Sequence, residues 1–221
     1  MEKSQILKHV DHTLLKPLSD WKEISRLCEE AIEYQTASVC IPPAYVERIH
    51  QTYGEKLTIC TVIGFPLGYQ TTAVKVAETA EAVMLGAAEV DMVINLGAVK
   101  NGDFESITRE IAAVKAAAGD RIVKVIIETC YLDEAEKIRL CQCVTEGGAD
   151  YIKTSTGFGT AGATLEDVHL FRKHIGQQVK IKAAGGIRSK EDLEAFIEAG
   201  CQRIGTSGAV ALLTGGSASS Y

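Results

Sequence analysis

Eight short runs rich in valine, isoleucine and threonine alternate with helical patterns along the 221 residues, and this alternation limits the possible folds more than any other feature. The runs fall at about His9 to Leu15, Ala37 to Ile41, Leu57 to Gly64, Glu89 to Leu96, Arg121 to Glu128, Asp150 to Ser155, Val179 to Ala184 and Arg203 to Thr206. Between them, helix starts carry polar caps: Ser19 or Asp20 before Trp21, Asp103 before Phe104, Asp133 before Glu134, Thr164 before Leu165 and Ser189 before Lys190. Small residues recur just ahead of strands, in Leu85-Gly-Ala87, Gly147-Gly-Ala149 and Ala199-Gly200, where glycine lets the chain turn back toward a parallel sheet. Eight such units in so short a chain predict a single (β/α)8 barrel of the TIM type over residues 1–221, ending in a short flexible tail at about 215–221. A doubly wound open sheet is the alternative, because periodicity does not show closure. In both architectures chemistry gathers at the carboxyl ends of the strands.

Composition narrows the partners. With 46% hydrophobic and 24% charged residues the chain can bury a substantial core. Its net charge of -6 is spread along the sequence, which argues against nucleic-acid and membrane-surface partners. Neither a secretory signal nor a membrane-length apolar run is present, so a cytoplasmic protein is expected. Seven cysteines, an odd number set mostly in apolar segments, read as free thiols. Cys141 and Cys143 are two apart on a helical stretch and do not share a face, and no further ligand completes a metal site. His12 follows Asp11 in the first strand, and alternation sends neighbours to opposite faces, so His12 reads as structural.

The chemistry is carried by two similar stretches. Tyr151-Ile-Lys-Thr-Ser-Thr-Gly-Phe-Gly159 sets Lys153 in a buried strand that runs into a glycine turn, and Val179-Lys-Ile-Lys-Ala-Ala-Gly-Gly186 does the same for Lys182. A buried ammonium is paired or gives up its proton, and a neutral lysine is a nucleophile. Alternation puts Tyr151 and Ser155 on the face of Lys153, Lys180 and Ala184 on that of Lys182, and Val93 and Asn95 on that of Asp91. Lys124 and Glu128 share a face in the fifth strand, where an internal ion pair is expected at least as much as a catalytic role. Were Lys182 protonated about 6 Å from Lys153, repulsion of about 2.8 kcal/mol would move a lysine from about 10.4 toward about 8. Asp91 near Lys182 would keep that second lysine charged and take part in proton transfer. Two lysines and a carboxylate suffice for Schiff-base chemistry, with no metal and no cofactor.

Glycine turns supply anion-binding groups. Thr156-Gly157, Gly185-Gly186 and the segment Gly205 to Gly208, including Ser207, follow the last three strands and can present backbone N–H groups to a phosphate. The expected ligands are a small phosphorylated sugar and an aldehyde.

In combination, Lys153-Thr-Ser-Thr-Gly157, Glu89-Val-Asp91, Val125-Ile-Ile-Glu-Thr129, Lys182-Ala-Ala-Gly-Gly-Ile-Arg188 and the tail Ser217-Ala-Ser-Ser-Tyr221 resemble the deoxyribose-phosphate aldolases, from Asp11 to the final residue. The resemblance implies a metal-independent class I aldolase that reversibly cleaves 2-deoxy-D-ribose 5-phosphate to acetaldehyde and D-glyceraldehyde 3-phosphate. It implies Lys153 as the Schiff-base lysine, Lys182 as the lysine that lowers its pKa and handles protons, and Asp91 as their acid/base partner. It further implies that Tyr221 assists proton transfer at the acetaldehyde methyl carbon, and that Cys40 lies near the substrate and is open to aldehyde damage. The chain departs from some members at Phe158, where they carry lysine, and at Ala183, where they carry proline. The first change removes a positive charge on the phosphate side. A symmetric homodimer is the default assembly.

Overall fold

The strands close on themselves. In the computed structural model, which describes residues 1–215, eight parallel strands form a closed barrel in sequence order. They are β1 Val10–Thr13, β2 Ser38–Ile41, β3 Ile59–Ile63, β4 Glu89–Val93, β5 Ile122–Ile126, β6 Tyr151–Lys153, β7 Lys180–Ala184 and β8 Arg203–Thr206. The helices are α1 Lys3–Leu7, α2 Trp21–Tyr34, α3 Val46–Tyr53, α4 Thr72–Met84, α5 Leu96–Lys100, α6 Phe104–Ala118, α7 Glu134–Glu146, α8 Leu165–His174, α9 Lys190–Glu198 and α10 Ala209–Thr214. Pairing of β1 with β8, Asp11 beside Gly205, excludes the open doubly wound sheet. Tyr221 lies outside the described residues.

Most strands are shorter than the apolar runs that mark them, because the ladder stops where the chain turns over the barrel rim. The sixth run reaches Ser155, yet β6 ends at Lys153. The fifth ends at Ile126, and Glu128 beyond it takes a left-handed conformation, φ 53°, unusual for a residue with a side chain. The helices begin at their expected caps: Asp20, Asp133 and Ser189 each form a reciprocal capping box, while the side chains of Asp103 and Thr164 each accept one first-turn N–H.

Alternation divides the strand residues between two environments. Outward residues such as Val90, Met92, Val123, Val125, Ile152, Ile181 and Ile204 join Ile24, Ile107, Ile111, Leu140, Phe171 and Leu193 of the helices in the main core. Each fully buried aliphatic side chain there contributes about 1.5–3 kcal/mol. That shell has to offset an interior that is charged at its centre, where effective desolvation costs several kcal/mol per ion. A small apolar patch of Leu15, Cys40, Cys60 and Val62, with Phe65 against it, is separate from the main core.

Candidate active site

Asp91 is the hub of the interior. One carboxylate oxygen, Oδ2, accepts from Lys153 Nζ at 2.7 Å and from Lys182 Nζ at 2.6 Å. The other, Oδ1, accepts from Lys124 Nζ at 2.9 Å and from the Cys60 thiol at 3.1 Å. The Lys153 and Lys182 nitrogens can be no farther apart than the two Oδ2 distances laid end to end, which is inside the separation of about 6 Å assumed from sequence. The strand register explains the convergence, since Lys153 pairs with Lys182 across β6 and β7, and Asp91 with Lys124 across β4 and β5.

A second carboxylate completes the network from β1. Asp11 lies 2.5 Å from Lys182 Nζ and 3.7 Å from Lys124 Nζ, accepts from the Ser38 hydroxyl at 2.8 Å, and accepts from Arg203 at 2.5 Å. Arg203 also grips Glu89 through both terminal nitrogens, at 2.9 and 2.7 Å, and Glu89 lies 2.6 Å from Lys124. The interior therefore sets the cations Lys124, Lys153, Lys182 and Arg203 against the carboxylates Asp11, Glu89 and Asp91. Glu128, buried above the end of β5, faces Lys153 as a fourth carboxyl. Lys124 touches three of these carboxylates and Lys182 two, whereas the only one that Lys153 is seen to touch is Asp91.

The pKa directions follow from these contacts. Burial alone would raise the Asp91 carboxyl, but Lys124, Lys153 and Lys182 overcome it and hold the group well below the usual range. Asp11 is likewise held low against its burial, by Lys182, Lys124 and Arg203. Burial works against the charge of Lys182, yet Asp11 and Asp91 outweigh it and raise its pKa. Lys124 is raised in the same way, with Asp91 the strongest of its partners.

The expected ion pair of Lys124 with Glu128 does not form. Lys124 is turned to Asp91, Glu89 and Asp11, and Glu128, above the end of β5, accepts from the backbone N–H of Thr156 at 3.1 Å and from its hydroxyl. Thr156 therefore acts as a strut of the β6 loop, because the N–H expected to face an anion is already taken. Burial pushes the Glu128 carboxyl up, against the Thr156 hydrogen bonds and Lys153.

Of the expected anion-binding glycines, Gly157, Gly185 and Gly186 come together. All three have positive φ, of 89°, 80° and 76°, and a Cβ on Gly185 would lie 3.6 Å from Gly157 Cα and 3.2 Å from Gly162 Cα. Ala163 N–H, donating to the carbonyls of Ala184 and Gly185, pins the two loops together. Gly205 belongs elsewhere: it lies within β8, where its missing side chain leaves room for the stem of Lys182, whose Cε would be 3.1 Å from a Cβ. Ser207 follows β8 and borders a cleft of about 720 Å³ with Lys16 and Arg26. At the mouth, Phe158 packs edge-on against Phe65 with ring centroids 5.4 Å apart. Cys40 is fully buried in the interior patch, and with Cys60 and Asp91 it makes up a trio whose ligand atoms lie within 4.8 Å of one another. Both oxygens of Asp91 already hold ammonium groups, so a metal ion there would compete with three lysines.

His12 faces outward, its Nε2 2.9 Å from Glu30 on α2, as alternation requires. The same alternation sends Asp11 inward. Sequence reasoning passed over Asp11, Glu89 and Arg203, and the signal for Asp11 was present in its being the neighbour of an outward His12.

Comparison with known proteins points to one family. Residues 5–215 match the DeoC/LacD family aldolase model. A deoxyribose-phosphate aldolase of Clostridium botulinum (strain Alaska E43 / Type E3) is 61% identical over the whole of both chains. Among solved structures, an aldolase called QR15 is 40% identical with a TM-score of 0.91, covering 95% of each chain. The deoxyribose phosphate aldolase of Aeropyrum pernix, described as a tetramer, is 31% identical with a TM-score of 0.88, covering 96% of this chain and 91% of that one. Since the family model spans nearly the whole chain and a relative shares three-fifths of its residues end to end, this protein belongs to the DeoC/LacD family of aldolases.

Proposed function

We propose that the protein is a class I aldolase that reversibly cleaves 2-deoxy-D-ribose 5-phosphate to acetaldehyde and D-glyceraldehyde 3-phosphate through a Schiff base on Lys153. The observation that carries this reading is the convergence of Lys153 and Lys182 on one carboxylate oxygen of Asp91. Lys153 has the fewest ion-pair contacts of the three interior lysines and, at 3% side-chain exposure, is the one that is not wholly buried. Its free amine attacks the substrate's aldehyde carbon and, with loss of water, gives an iminium. That restores a cation beside Asp91, whose ionised carboxylate stabilises it. Proton release from the C3 hydroxyl then lets the C2–C3 bond break, and the iminium takes up the electron pair as an enamine. Lys182, held protonated by Asp11 and Asp91, carries protons through Asp91 to and from the carbinolamine oxygen. Amine, carboxylate and solvent supply each of these steps, so the reaction as drawn calls for no metal or cofactor. Tyr221 is assigned the proton at the enamine carbon, and a Tyr221→Phe variant that protonates it at the wild-type rate would remove that assignment.

The phosphate is assigned to the turn of Gly157, Gly185 and Gly186 together with Ser207 after β8, while Thr156 and Gly205 support the site and Cys40 lines it. Six of the seven free cysteines are buried, which suits a reducing compartment, and we place the enzyme in the cytoplasm. No described helix is long and apolar enough to cross a membrane. A homodimer is the proposed assembly, and light scattering at the monomer mass would overturn it. The deciding experiment is incubation with acetaldehyde and borohydride. A reduced two-carbon unit on Lys153, and retro-aldol activity lost in Lys153→Ala, are expected; an unlabelled Lys153 would sink the mechanism.

A further inference from the structure

Two interior thiols have no assigned step in that chemistry. Cys40 on β2 and Cys60 on β3 are register partners in adjacent parallel strands, and neither has any exposed surface. Their sulfurs lie within 4.8 Å of each other and of an Asp91 oxygen. Paired strands run about 4.8 Å apart, inside the Cα separation of about 4.4–6.8 Å that a disulfide spans. Cys60 donates to Asp91 Oδ1 at 3.1 Å and accepts from Lys124 at 3.2 Å, so its sulfur is tied to the carboxylate that joins Lys153 and Lys182.

We propose that Cys40 and Cys60 form a redox-sensitive pair which hydrogen peroxide closes into a reversible disulfide, switching the aldolase off. Burial pushes the Cys60 thiol well up while it donates to Asp91, whereas the Cys40 thiol beside it is lowered against its burial and Lys182 and Lys153 favour its thiolate, so Cys40 is the attacking sulfur. Hydrogen peroxide is uncharged and smaller than acetaldehyde, and it reaches the interior by the route an aldehyde must take to Lys153. The Cys40 thiolate attacks one peroxide oxygen, the O–O bond breaks, and the departing hydroxide takes up a proton, leaving a sulfenic acid and one water. Cys60 then attacks that sulfur, the S–O bond breaks, and the hydroxyl leaves as a second water with the Cys60 proton. Two thiols have been oxidised and one peroxide reduced. The closed bond removes the S–H donor from Asp91 Oδ1 and draws Cys60 away from Lys124, which disturbs the carboxylate on which both lysines depend.

The loss of rate rests on the aldolase reading; the cross-link does not. Full-length protein is treated with hydrogen peroxide and followed by intact mass, non-reducing peptide mapping and retro-aldol rate. The expected result is a loss of two hydrogens, a peptide joining Cys40 to Cys60, and loss of most of the rate, all reversed by dithiothreitol. Under the same treatment, Cys60→Ser is expected to build up sulfinic acid on Cys40, with a rate, relative to its own untreated value, that dithiothreitol does not restore. Oxidation of Cys40 without a link, a link to another thiol, or an intact pair at a peroxide concentration that oxidises the half-buried Cys130 overturns the pairing. A link formed without loss of rate overturns the switch. A link in a protein that shows no aldolase activity before treatment leaves the pair standing and counts against the proposed function.

Discussion

A methyl group on Gly205 would come within 3.1 Å of both Lys182 Cε and Ala184 Cβ, so the residue that β8 omits sets the position of the second lysine. The backbone of Gly205 is not left-handed, and Gly205→Ala therefore tests crowding alone. Overpacking of this kind costs about 1–3 kcal/mol, and displacement of Lys182 should lower kcat more than it raises KM, as thermal unfolding and steady-state retro-aldol kinetics would show. Asp11 is the other residue on which Lys182 depends. Asp11→Asn takes a carboxylate from the cluster and leaves Lys182 and Arg203 each short of a partner. Breaking a buried pair costs about 3–5 kcal/mol, so urea unfolding of this variant should show a loss of that order. Wild-type stability would mean that the interior charges are better hydrated than their full burial indicates.

Among the elements, α4 is fixed by a fully buried lysine. Lys75 donates to Glu110 on α6 at 2.7 Å and to the Val93 carbonyl at the end of β4 at 2.8 Å, and burial lowers its pKa against the attraction of Glu110. Its stem also passes beneath Gly64, where a Cβ would meet Lys75 Cε at 2.9 Å, so the loop after β3 rests on it. Lys75→Met leaves Glu110 buried without its cation and should cost about 3–5 kcal/mol, whereas Lys75→Met with Glu110→Leu should recover at least half of that. Chemical denaturation of both variants checks the difference, and equal losses would argue that the Val93 carbonyl is the partner that matters. At the start of α7, the Asp133 carboxylate accepts from Glu136 N–H at 2.8 Å, and Asp133 N–H donates to the Glu136 carboxylate at 2.9 Å. Asp133→Ala should cost about 1 kcal/mol in thermal unfolding and leave the retro-aldol rate unchanged.

At the scale of the molecule, the charged interior makes stability depend on pH at both extremes. Asp11 and Asp91 have folded pKa values depressed below the unfolded one, so their contribution is present above about pH 3.9 and is lost as pH falls through the folded values. Lys124 and Lys182 are raised, so theirs is fully present below about pH 10.4 and is lost as pH rises through the folded values. Glu128, a carboxyl raised by burial, acts in the opposite sense to the aspartates and favours the fold more as pH falls. Urea midpoints measured across pH should show an acid limb steeper in the wild type than in Asp11→Asn. Parallel limbs would mean that Asp11 is not held ionised by the cluster.

The sequence by itself determined the number of strands, their alternation with helices, the caps at which those helices begin, and, by strand parity, which neighbours share a face with Lys153, Lys182 and Asp91. These are local properties, set by residues two to four positions apart. Tertiary structure decided that the sheet closes, that Asp11, Glu89 and Arg203 share one network with the three lysines, that Gly205 yields space to Lys182 instead of lining a loop, and that Glu128 turns to Thr156 and away from Lys124. Parity says which side of its own strand a residue faces. Which residues meet across a barrel is set by the register of eight strands taken together, and by loops such as that of Glu128 whose backbone leaves the β region where the ladder ends.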